Sequence, residues 1–248
     1  MIRVVDLHKK FGRQEVLKGI NLDVETGKIT TIIGGSGGGK TVLLKHLNAL
    51  LLPDRGSVLV EGVDITKIGE SALNNIRQKF GVLFQGAALL DSMTISDNVA
   101  FPLREKTKLT ETEIQRRVEQ RLEQVGLAGA GYKYPAEVSG GMKKRAGLAR
   151  ALVMEPEIVL FDEPTTGLDP LLGKSIHQLI RKIHAAFGFT GVIVSHDIPE
   201  VFKISDRVAM LANGVIAEIG KTDEFLTSQN PIVRQFVNAE TEGPLAVL

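Results

Sequence analysis

The chain contains no cysteine in its 248 residues, which excludes disulfides and thiolate metal sites and suits a reducing compartment. An excess of either charge is also missing. A formal net charge of +1 gives no general attraction to nucleic acid or to an anionic bilayer surface. Long hydrophobic runs are absent. The most apolar stretches are cut by Lys45, His46 and Asn48, or by Glu155 and Pro156, well short of the roughly 20 residues a spanning helix needs. The opening, Met1-Ile-Arg-Val-Val-Asp6, lacks the apolar core of a secretory leader. No internal repeat and no low-complexity tract occurs. These absences predict a soluble globular protein, one large domain or a core with a subdomain. Any work at a membrane would pass through a partner.

What is present is glycine, concentrated in Gly34-Gly35-Ser36-Gly37-Gly38-Gly39-Lys40-Thr41. Two glycines with four residues between them, then Lys and a hydroxyl residue, fit the phosphate-cradling pattern. Lys28-Ile-Thr-Thr-Ile-Ile33 before it reads as a buried strand. Val42-Leu43-Leu44 with Leu47, Leu50 and Leu51 after it reads as a helix. Backbone N–H groups wrap a phosphate chain only where no Cβ intrudes, and the following helix points its positive end at the same anion. Lys40 is therefore expected to reach the β- and γ-phosphates, and the Thr41 hydroxyl to hold Mg²⁺.

Along the chain, Ile2 to Leu7 and Val16 to Val24 read as strands, and Ser57 to Ile65 as a hairpin of a small antiparallel sheet. Ser71 to Gln78 reads as a helix and Lys79 to Phe84 as a buried strand ending at Gln85. From there to Pro156 the pattern is helical. Thr110 and Glu113 form a capping box ahead of Ile114, Val118, Leu122 and Val125, and Ser139-Gly140-Gly141 opens a helix over Met142 to Met154. The sheet resumes with Glu157 to Phe161, ending in Asp162-Glu163. An amphipathic helix follows over Leu172 to Phe187, then the strand Thr190 to Val194, ending in Ser195-His196-Asp197, and a hairpin over Val208 to Ile219. The expected fold is α/β, a parallel-sheet P-loop core with a small antiparallel β subdomain and an inserted helical subdomain. The core takes 1–86 and 157–222, the helical subdomain 87–156 and a C-terminal extension 223–248.

Four strands thus end in the phosphate loop, Gln85, Asp162-Glu163 and His196. Apolar strands alternating with helices imply parallel pairing, which gathers the C-terminal strand ends on one edge, where open α/β sheets bind ligands. Asp162 is expected to support Mg²⁺, and Glu163 to act as general base toward a water attacking the γ-phosphate. Gln85 can touch the metal, and His196 the γ-phosphate or the water. His8, His46, His177 and His184 read as structural.

The residues then match a family. Ser139-Gly-Gly-Met-Lys-Lys-Arg145 resembles the signature of ABC-type ATPases, Gly167-Leu168-Asp169 their D-loop, and Phe11 stands where they stack an aromatic ring on adenine. The resemblance runs from residue 2 to about 225. It implies binding of ATP and Mg²⁺ and a head-to-tail dimer with a second copy of the chain. Ser139, Gly140, Gly141 and Asp169 would act in trans on nucleotide held by the partner's Gly34 to Thr41. Leu83 to Arg104, the signature and the ending Val233 to Pro244 are similar to the ATPase of Mla-type (MCE-associated) phospholipid transporters. That resemblance implies a membrane permease, an MCE-domain lipid-binding protein and a STAS-domain protein as partners. It also implies no nucleic acid and a peripheral place on the cytoplasmic face of the bacterial inner membrane. In this family the C-terminal extension contacts the neighbouring subunit. Val42 departs from the pattern, since many relatives carry a second hydroxyl residue there.

Other readings are an ABC importer or exporter of different cargo, a soluble ABC ATPase acting on ribosomes or DNA, and a small-molecule kinase. The second usually carries two ATPase units or long coiled-coil insertions, and this chain has neither. The third has no use for the signature at Ser139.

Overall fold

The computed structural model describes residues 1–245; positions 246–248, the last three of the expected extension, lie outside the described residues. The chain opens with strands β1 (Ile2–Phe11), β2 (Gln14–Val24) and β3 (Ile29–Ile33), helix α1 (Lys40–Leu47), strands β4 (Arg55–Val60) and β5 (Val63–Asp64) and helix α2 (Glu70–Arg77). Strand β6 (Phe80–Leu83) follows, then helices α3 (Ile95–Lys106), α4 (Glu111–Gln124) and α5 (Gly140–Leu152), strand β7 (Ile158–Asp162) and helix α6 (Pro170–Phe187). The last elements are strands β8 (Thr190–Ser195), β9 (Arg207–Ala212) and β10 (Val215–Lys221) and the short helices α7 (Thr222–Leu226) and α8 (Pro231–Val237). These form two compact units, Met1–Arg77 with the chain from Thr190 onward, and Gln78–Phe189. The expected helical insertion, 87–156, falls wholly inside the second.

In the first unit, β3 is flanked by β8 and β9, both parallel to it, and β10 closes the edge antiparallel to β9. Every residue of β3 and β8 is buried, the polar Thr30, Thr31, Thr190 and Ser195 included, as in parallel strands covered on both faces. A separate antiparallel sheet of order β2-β1-β4-β5 matches the expected β subdomain. Strand β1 runs four residues further than expected, to Phe11. At the far end of this unit the Gln235 carboxamide exchanges two hydrogen bonds with the backbone of Leu245, at 2.7 and 3.0 Å, folding the described tail back onto α8.

In the second unit, β6 and β7 pair in parallel, with Gly81, Val82 and Leu83 opposite Val159, Leu160 and Phe161. Helix α5 packs on β6 and on the helices α3 and α4. The capping box of α4 forms as read: Glu113 N donates to Thr110 Oγ1, and the Glu113 carboxylate accepts from Thr110 N. Helix α3 was not individually legible. It carries Pro102 inside, and its buried Asn98 holds the preceding loop through Leu90 N, Leu90 O, Met93 O and Thr94 O. Arg104 bridges Asp97 and Glu111. Hydrogen bonds from the Thr94 hydroxyl and then from Arg104 hold the Asp97 carboxyl below its usual range, and those from Arg104 and then Gln115 do the same for Glu111.

Candidate active site

Each unit brings its own group of candidate residues to a set of strand ends. In the first, β3 and β8 stay in register to their last residues, with Ile33 opposite Ser195. The next residue on each strand is Gly34 on one and the exposed His196 on the other, so the phosphate loop and His196 leave neighbouring strands side by side. Ser195 Oγ accepts from Asp197 N at 3.0 Å and turns the chain away from the strand just after His196.

The loop's glycines are set by close approach as well as by conformation. A Cβ on Gly34 would stand 2.2 Å from Leu211 O, a contact no side chain tolerates. Gly39 caps α1 at φ +94° with no side-chain acceptor, leaving that helix start to the backbone alone. A Cβ at Gly39 would lie 2.9 Å from Val16 Cγ1, so the loop sits against β2. Strand β2 pairs with β1 through Gln14 opposite Phe11, which brings Phe11 into the same unit as the loop. The Phe11 ring is half-exposed, with the Lys9 ammonium 5.6 Å from its centroid, a flat surface open to a stacking partner.

Lys40 is buried, and its Nζ donates to Gly34 O and Gly35 O, both at 3.0 Å. The ammonium is therefore fixed against two carbonyls of the loop. Gly35, Ser36 and Gly37 are exposed and Thr41 is half-buried on the first turn of α1.

In the second unit, β6 and β7 end level, with Leu83 opposite Phe161. Two residues on come Gln85, exposed, and Glu163, 7% exposed, with Asp162 as the last residue of β7 at the same low exposure. Glu163 takes a left-handed backbone at φ +50°, uncommon for a residue with a Cβ, and Thr166 Oγ1 donates to its Oε2 at 3.2 Å. Lys144, which the sequence does not distinguish from its basic neighbours Lys143 and Arg145, donates to Gln85 O and to Glu163 O. Burial pushes its pKa down, opposed by the charges of Glu163 and Asp162.

Ser139 caps α5, its Oγ accepting from Met142 N at 3.3 Å, and Ser139 and Gly140 are exposed. Asp169 caps α6 through Leu171 N and Leu172 N, both at 3.0 Å. Gly141 is buried, and a Cβ there would meet Leu172 at 3.6 Å, so the two helix starts are neighbours. Beside them Leu171 is 77% exposed. Of the histidines read as structural, His46, His177 and His184 are buried and His8 pairs with Asp6 at 2.9 Å. Burial pushes the His46 imidazole toward its neutral form, and Nδ1 hydrogen-bonds Val42 O at 2.7 Å.

The donors expected for Mg²⁺ are a hydroxyl (Thr41), a carboxamide (Gln85) and a carboxylate (Asp162). All three are hard oxygen ligands of the kind this ion takes alongside phosphates and water, so the donor chemistry fits.

The chain is similar to known proteins over most of its length. The family described as ABC transporter matches residues 17–166, more than half of the chain. A Mycobacterium leprae protein described as probable ribonucleotide transport ATP-binding protein mkl is 45% identical over 99% of this chain and 71% of its own. The Haemophilus influenzae protein described as intermembrane phospholipid transport system ATP-binding protein MlaF is 42% identical over 99% of this chain and 93% of its own. Among solved structures, a dimeric post-hydrolysis state of the ATP-binding cassette MJ0796, bound to ADP and Pi, superposes with a TM-score of 0.82. It is 31% identical, over 90% of this chain and 99% of that one. With the family model covering residues 17–166 and relatives 42 to 45% identical over 99% of its length, the chain belongs to the ABC transporter family as an ATP-binding, ATP-hydrolysing subunit.

Proposed function

We propose that this ATPase powers phospholipid transport through a membrane permease, with ATP hydrolysed at the interface of two copies. The observation that carries the cargo is the match to the phospholipid transport ATP-binding protein, which spans 93% of that chain. The Gly34 to Thr41 loop binds the phosphates, with Lys40 supplying charge, and the adenine stacks on Phe11. Glu163 takes the proton of the attacking water, and His196 and Gln85 bond the γ-phosphate and the water. Mg²⁺, held through Thr41, Gln85 and Asp162, would neutralise charge on the phosphate oxygens. Ser139, Gly140, Gly141 and Asp169 of the second copy complete the site. Two exposed helix starts side by side, next to an exposed Leu171, support that assignment.

No described helix is long and apolar enough to cross a membrane. The match to the phospholipid transport ATP-binding protein supports an integral-membrane permease, an MCE-domain lipid-binding protein and a STAS-domain protein as partners, with the chain peripheral on the cytoplasmic face of the inner membrane. Purification of the full chain from native membranes should recover a permease and an MCE-domain protein, and the reconstituted complex should move phospholipid only with ATP. Recovery of a permease without an MCE partner, or ATP-driven movement of ribonucleotide instead, as the name of the mycobacterial relative would suggest, overturns the cargo. For the chemistry, Glu163→Gln should cut hydrolysis by about 100-fold or more while ATP still binds and holds two copies together. Near-normal turnover removes Glu163 as the base.

A further inference from the structure

Helix α5 carries Lys144, Gly147 and Arg150 at intervals of three, on one face. That face meets β6 and the loop after it. A Cβ on Gly147 would lie 2.9 Å from Leu83 Cδ1 and 3.1 Å from Ala87 Cβ, so the loop approaches as closely as a glycine permits. A Cβ on Gly81 would stand 2.2 Å from Ala151 O, which fixes β6 to the same face. Arg150 Nη1 and Nη2 donate to Ala88 O and Ala87 O at 2.6 and 2.7 Å. Those two alanines hold left-handed backbone at φ +47° and +60°, and the guanidinium fork is what the carbonyls of that turn meet.

Lys144 does more than hold this loop. A lysine normally carries its ammonium to water, yet this residue is only 5% exposed, and its Nζ donates to Gln85 O at 2.5 Å and to Glu163 O at 3.2 Å. The β6–β7 ladder stops at Leu83 opposite Phe161. Two residues beyond it, where the sheet no longer sets the spacing, the ammonium joins the two chains.

We propose that Lys144 is a positioning residue for ATP hydrolysis, fixing the backbone of Gln85 against that of Glu163 so that their side chains meet the γ-phosphate and the water together. The inference rests on the hydrolytic roles given above to those two residues. Burial of an ammonium is costly unless its donors are satisfied, so a charge kept here against two carbonyls has a structural purpose beyond packing. Because Ser139 caps α5, the same helix joins the signature to both loops.

The test is steady-state hydrolysis by the full-length chain carrying Lys144→Met or Lys144→Arg, with ATP affinity and thermal stability measured alongside. Met keeps the length and apolar stem and removes the donors. It should lower kcat by about 10- to 100-fold, the worth of charge-assisted hydrogen bonds, while KM for ATP stays within about threefold. Arg keeps charged donors and should recover most of the loss. A kcat within about twofold of the parent in Lys144→Met overturns the proposal. So does a joint fall in kcat, ATP affinity and stability that Arg does not recover, the pattern of a lysine that only packs. Glu163→Gln, run beside them, isolates the underlying reading. Its near-normal turnover would remove the base assignment, whereas the Lys144 result stands on its own split between kcat and KM.

Discussion

A single ammonium illustrates the residue scale. Lys40 is legible from the loop pattern, and its ammonium lies within the loop, bonded to Gly34 O and Gly35 O. Lys40→Ala deletes that charge and leaves two carbonyls without this donor. ATP affinity should fall by about 10- to 100-fold or more, since hydrogen bonds to charged groups are the strong ones, while the circular dichroism of the chain stays that of the parent. Unchanged ATP affinity in a titration would contradict the role. Lys144 is the opposite case. It stands in Lys143-Lys144-Arg145, where nothing local separates a buried cation from two half-buried ones. Only the packing of β6 and β7 against α5 supplies the two carbonyls that keep it inside. Glu163 lies between these cases. Its position after an apolar strand is legible, but its left-handed backbone is not, because that conformation is imposed by the turn to Thr166 rather than by any preference of glutamate.

Elements were legible where a local rule decides them. The β3–loop–α1 unit, the capping box of α4 and the amphipathic α6 follow from period and caps. Strand β3 and helix α6 form within two residues of the expected bounds, whereas α1 ends at Leu47, short of the expected Leu50 and Leu51. Strand β1 outruns its apolar pattern because its last residues, Lys10 and Phe11, are held by pairing to Glu15 and Gln14 across a hairpin, not by burial. Helix α3 was lost among general helical texture because Pro102 normally reads as a stop. Here its ends are secured from outside the pattern, by the Thr94 side chain accepting from Asp97 N at the start and by Arg104 reaching Asp97 and Glu111 near the end. The expected helix over Ser71 to Gln78 forms one residue earlier at each end, opened by Glu70 and closed by Arg77, which reaches back to Glu70.

At the scale of the whole molecule, the exposed starts of α5 and α6 carry the argument for a second copy. Leu171 is a large apolar side chain held out into solvent by the Asp169 cap. Leu171→Asp should abolish the ATP-stabilised dimer that Glu163→Gln accumulates, with the melting temperature of the free chain moving by only about 1–2 °C, as for surface substitutions generally. Light scattering with ATP reads the first and calorimetry the second. A dimer that survives would place the contact elsewhere.

The sequence by itself determined the strand–glycine–helix cradle, the acidic pair after β7 and the signature cap. Each is a short-range pattern whose physics is complete within a few residues: a missing Cβ, a helix start, a strand end. Tertiary structure decided which of those strand ends lie side by side within each unit. Parallel pairing brings Gly34 beside His196 and sets Gln85 level with Glu163, and a buried lysine more than fifty residues from Gln85 then ties two of those ends together. Register and burial arise between segments far apart in the chain. A residue whose role is to meet them carries no mark of it in its own neighbourhood.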